Sequence, residues 1–73
     1  MSKPMSNVEL MTAAVENTER AKSALREALE IGQEQPVPPG NFTVVVVSLR
    51  QALAAAVALE QRALGVKPPR TGD

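Results

Sequence analysis

The chain has no cysteine, histidine, tryptophan or tyrosine, and only one phenylalanine, Phe42. Without cysteine there is no disulfide and no thiolate ligand, and without histidine a structural zinc site is excluded as well. The usual bases and nucleophiles of enzyme sites go with them, leaving glutamates and Asp73, the last residue, for acid–base work. No glycine-rich phosphate loop is present, since "PPGN" at 38–41 is one glycine in a turn. The expectation is a non-enzyme with no catalytic residues, no metal and no cofactor.

Net charge is also missing: eight Lys and Arg balance eight Asp and Glu. The first half leans acidic and the second basic, which suits pairing with another copy better than wrapping a polyanion. The basic residues Arg50, Arg62, Lys67 and Arg70 have no aromatic neighbours for base stacking, so nucleic acid is not the expected partner. The opening "MSKPMSNVEL" has no apolar signal-peptide core. The most apolar stretch, Phe42 to Leu59, approaches membrane-spanning length but carries Ser48, Arg50 and Gln51 near its middle. A cytoplasmic protein with no membrane segment is expected.

The residues that are present read as two helices. Ser6 followed by Glu9 is a capping box: the serine oxygen accepts an orphan backbone N–H of the first turn, and the glutamate reaches back to the serine N–H. Met5 and Leu10 stand at the hydrophobic staple positions. From there Val8, Met11, Val15, Thr18, Lys22, Leu25 and Leu29 recur at alternating three- and four-residue spacing, with Ala14, Ala21 and Ala28 beside them. Gly32 offers a C-terminal cap and Pro36 opposes continuation.

Prolines 36, 38 and 39 make "QEQPVPPG" a stiff, non-helical connection, after which Asn41 or Thr43 is placed to cap a second helix. The valines 44–47 have strand propensity but no partner strand, and "SLRQALAAAVALEQRALG" after them is strongly helical. They are therefore read as the first turns of the second helix. Along it Val45, Leu49, Ala52, Ala56, Leu59 and Ala63 form one seam, with Phe42, Val46, Leu53, Val57 and Leu64 alongside. The apolar arc spans about 160°, wider than one neighbouring helix covers. Gly65 closes the helix, Val66 is placed for the cap's hydrophobic contact, and Pro68-Pro69 enforce the stop.

The fold class expected is all-α: an antiparallel two-helix hairpin that self-associates into a helical bundle. Its parts are a flexible N-terminus (1–5), a hairpin (6–65) and a disordered tail (66–73), the hairpin comprising helix one at about 7–32, linker 33–41 and helix two at about 42–64. So small a chain buries little surface alone. A homo-oligomer is expected, with a protein partner or a small phosphorylated ligand as further candidates.

The interface residues expected are Val45, Leu49, Ala52, Ala56, Leu59, Glu60, Ala63 and Lys22. Glu60 and Lys22 are the charges that break the apolar stripes. An antiparallel register with Leu29 near Val45 would set Glu60 beside Ala14, about two turns from Lys22, with pairing between protomers as one role and reaching past neighbours to water as the other. For an anionic ligand the candidates are Asn41, Phe42, Thr43 and Arg50, around the positive end of the second helix, with Phe42 as the aromatic platform or else a core plug.

The stretch "LEQRALGVKPP", Leu59 to Pro69, resembles the last helix of some phage small terminase subunits, with a looser apolar pattern back to Leu49. Those proteins carry a helix-turn-helix before this helix, where this chain has a single helix. The plan of a two-helix hairpin that must oligomerise is also similar to phage-encoded sponges that sequester cyclic-nucleotide immune signals. These resemblances imply a small phage or bacterial accessory protein, either a DNA-packaging oligomer or one with ligand pockets between protomers.

Overall fold

The structure, a computed structural model, describes residues 4–65. The expected tail at 66–73, the contact of Val66 and the first three residues of the expected flexible N-terminus lie outside them. Two helices, α1 (Asn7–Gly32) and α2 (Pro39–Ala63), pack against each other as a hairpin.

α1 starts where local chemistry directs. The Ser6 N–H donates to Glu9 Oε1 at 2.9 Å, the Glu9 N–H donates to Ser6 Oγ at 3.1 Å, and both bonds of the capping box are present. The carboxylate of Glu9 is held below its ordinary pKa by the Ser6 backbone N–H first and the Ser6 hydroxyl second. At the other end the helix runs through Gly32 rather than being capped by it. The N–H groups of Glu34 and Gln35 both reach Ile31 O, so a tightened turn satisfies the terminal carbonyl without a left-handed residue. Gly32 matters instead for space: a Cβ there would stand 3.3 Å from Val37 Cγ2, which folds back from the connector.

α2 begins at Pro39, three residues before Phe42, and neither Asn41 nor Thr43 caps it. Pro38 is the N-cap and makes no side-chain cap bond, Pro39 fills the first helical position, where its missing N–H costs nothing, and Thr43 Oγ donates back to Pro39 O at 3.2 Å. The connector is therefore shorter than expected, ending at residue 38. All four valines are helical. Gly65 adopts φ +74°, the left-handed conformation that ends a helix, beside Leu64 N–H on Glu60 O and Gly65 N–H on Arg62 O.

The seam between the helices is made mostly of small residues. Leu10, Ala21, Ala24 and Ala28 of α1 are buried, with Asn17 and Ile31 half-buried on the same line; from α2 come Val45, Ser48, Ala52 and Ala55, with Leu59 half-buried. These positions alternate by three and four along each helix, the spacing of an antiparallel coiled coil, and small side chains let the two backbones approach closely. Ser48, a polar interruption in the sequence pattern, is among the most buried residues at 2% exposure. Asn17 keeps its amide satisfied within α1, donating to Ala13 O at 2.9 Å and accepting from Arg20 Nη1 at 3.2 Å.

Candidate functional surface

Most of the large apolar side chains lie outside this seam. Val8, Met11, Val15, Leu25 and Leu29 of α1 are all exposed, as are Phe42, Val46, Leu49 and Leu53 of α2. Each set repeats by three and four, one residue C-terminal to the buried seam of its own helix. A one-residue step turns a helix by about 100°. Because the helices are antiparallel, the same step turns them in opposite senses in space, so both stripes come round to one side of the hairpin. At the closed end this is seen directly: Leu25, Ala28 and Leu29 of α1 share one open groove with Phe42 of α2, of ≈ 370 Å³, backed by Gly32 and Val37, with Gln33 as its polar wall.

The opposite broad side is different in kind. There α1 presents Glu16, Arg20, Ser23, Glu27 and Glu30, all exposed, and only α2 adds apolar groups, Val44 and Val47. The hairpin has one broad apolar face and one mixed face.

The expected interface residues divide between seam and surface. Val45 and Ala52 are buried against α1 and Leu59 is half-buried, while Leu49, Ala56, Glu60 and Ala63 are exposed, as is Lys22. Val45 packs with Ala21 and Ala24, not near Leu29. This shifts the register by about two turns from the expected one, because the short connector brings α2 back at once. At the open end Arg62 Nη1 donates to Asn7 Oδ1 at 2.8 Å. Glu60 therefore lies level with the start of α1 rather than beside Ala14, about 20 Å along the axis from Lys22 at 1.5 Å per residue. The two are too far apart to pair within one hairpin.

The candidate anion contacts point in separate directions. Asn41 is half-buried toward the seam, Phe42 lines the groove, Thr43 is exposed with its hydroxyl engaged on Pro39 O, and Arg50 is exposed two turns further along the stripe of Thr43. Pro38 and Pro39 contribute no N–H to the start of α2, and the N–H of Asn41 is bonded to Pro38 O. Little of the usual helix N-terminal donor set is left for a phosphate there. Among the described residues no group of three or more potential metal ligands occurs.

α2 is long and apolar enough to cross a membrane. Its partner is not: Glu9, Glu16, Glu19, Arg20, Lys22, Arg26, Glu27 and Glu30 are spread along α1. Inserting the packed pair would carry these charges into hydrocarbon, at about 2.5–3.5 kcal/mol each near the centre for the costlier ones.

Compared with protein-family models, curated proteins and solved structures, the chain matches none. What geometry defines is a class, an all-α hairpin joined mainly by small residues, with most of its large apolar residues facing outward.

Proposed function

We propose that this chain is a non-catalytic helical-hairpin binding protein that works as a homo-oligomer in an aqueous compartment. The observation that carries this reading is the division of side chains by size. Five alanines and a serine, with Leu10 and Val45, occupy the contact between the two helices, while nine Val, Leu, Met and Phe side chains, which gain most from leaving water, remain 43–68% exposed on one face. A hairpin so built supplies a broad apolar surface, which supports contact as its work.

The closed-end groove also bears on ligand chemistry. Its lining is apolar apart from Gln33 and offers no cation to a phosphate, so it favours protein contact over a nucleotide ligand. The packaging-oligomer reading has no basic stripe behind it on the described residues.

Light scattering coupled to gel filtration, together with native mass spectrometry across a concentration series, tests the proposal. The expected result is a mass at a multiple of 7.7 kDa that falls to the single chain on dilution. A folded monomer at every concentration overturns it. An oligomer carrying a fixed extra mass that is lost on denaturation would replace the contact reading with that of a small-ligand carrier.

A further inference from the structure

We infer that a second copy of this chain seats on the broad face formed by the Val8-to-Leu29 stripe of α1 and the Phe42-to-Leu53 stripe of α2, closing a four-helix bundle. This rests on the self-association proposed above and names the surface that carries it.

The first support is periodicity. The outer stripes repeat by three and four in phase with the buried seam, so each helix carries two parallel coiled-coil lines about 100° apart, one used within the hairpin and one unfilled. A face built from straight helices of matching pitch fits another such face, and the nearest source of one is this chain.

The second support is area. From their fractional exposures, the apolar side chains of this face leave on the order of 900 Å² open, against roughly 300–600 Å² for the largest patch of a typical soluble monomer and about 800 Å² per partner for a stable interface. The face is thus oversized for a monomer and about right for one partner of equal footprint.

The third is charge. Lys22 and Glu60 are the charged side chains on these outer stripes, Glu60 toward the open end and Lys22 one turn from Thr18. Both have long stems that can carry their charged tips to the rim while the middle stays dry. The mixed face, by contrast, would set the Glu16, Glu27 and Glu30 carboxylates against an equal set from the second copy.

The test compares charge placed on each face. Leu53 and Leu29 are 64% and 68% exposed in the single hairpin, and Val47 of the mixed face is 47% exposed. Leu53→Glu and Leu29→Glu are expected to run as helical single chains at concentrations where the parent and Val47→Glu are oligomeric. Burying an unpaired carboxylate should weaken association by about a hundredfold or more. If Val47→Glu dissociates while the leucine variants keep the parent mass, the assigned face is wrong although self-association stands. If the parent itself is a monomer, the underlying reading falls and this one with it.

A second measurement avoids perturbing the fold. The chain has no cysteine, so Thr18→Cys places one thiol mid-face, and Thr43→Cys places one on the side of α2 turned away from α1, in line with Arg50. A charged thiol reagent should label Thr18→Cys at least about tenfold more slowly in the oligomer than after dilution, about 1.4 kcal/mol of protection, with Thr43→Cys unchanged. Equal labelling of Thr18→Cys in both states overturns the assignment.

Discussion

Replacing Ala21 by leucine should damage this protein more than enlarging any of its exposed residues. Ala21 is 2% exposed and packs with Ala24 and Val45 at the centre of the interhelical contact. Leucine brings three more carbons to a place where the two backbones are held close by the absence of side-chain bulk. Overpacking of this kind costs about 1–3 kcal/mol, since the helices must separate or the side chain must leave its rotamer. In a domain of this size each kcal/mol moves the melting temperature by about 4–8 °C, so a fall of roughly 5–20 °C is expected. The matched control is Val15→Leu, at a position 61% exposed, where the change should stay within about 0.5 kcal/mol in the single hairpin. Far-UV circular dichroism melts read both, at concentrations giving variant and parent the same oligomeric state, because association adds its own stability. If Ala21→Leu melts at or above the parent temperature, the helices are not in close approach at Ala21, and the assignment of small residues to the seam is wrong.

Two further predictions rest on single positions. Ser6→Ala removes the hydroxyl half of the capping box, and should lower stability by about 1 kcal/mol in urea titrations at neutral pH. Glu9 has a folded pKa depressed below its unfolded value, so its contribution is fully present above the unfolded pKa and is lost as pH falls through the folded one; the parent should lose stability below the ordinary carboxylate range, and Ser6→Ala should show a smaller loss there. Val45→Lys puts an ammonium into the seam and should abolish helicity by circular dichroism, whereas Val47→Lys, on the exposed side of the same turn, should leave it intact.

The parts of the fold written in neighbouring residues are legible from the sequence alone. The start of α1 is one: Ser6, Glu9 and Leu10 make a local arrangement that needs no knowledge of what packs where. The helical state of Val44–Val47 is another, settled by the alanine- and leucine-rich run after them. The start of α2 is less open to reading, because a proline-initiated helix and a side-chain-capped helix leave similar traces a few residues apart.

The choice of face is hidden for a different reason. Hydropathy ranks Leu29 and Val15 above Ala21 and Ser48, so a periodicity search draws the apolar stripe through the large residues. Close helix packing ranks by size, and inverts that order. Periodicity alone cannot separate the two lines, since both repeat at the same spacing one residue apart. The register slips with it: matching bulk to bulk sets Val45 against Leu29, whereas in the folded hairpin it lies against Ala21 and Ala24. A candidate surface can be read as broad and apolar, but which of its lines turns inward depends on contacts between residues more than twenty positions apart.

The two ends of the hairpin are fastened by unlike means, and this gives the molecule a mechanical polarity. At one end a six-residue connector holding Pro36 and Pro38 joins the helices covalently, and Val37 wedges against Gly32. At the other, the side-chain tie seen between the helices is the solvent-exposed Arg62–Asn7 hydrogen bond. Such bonds break and reform easily in water, while the connector cannot lengthen. Like forceps, the arms are therefore expected to part more readily at Asn7 and Arg62 than at the proline hinge, a difference that hydrogen exchange of the two ends would read.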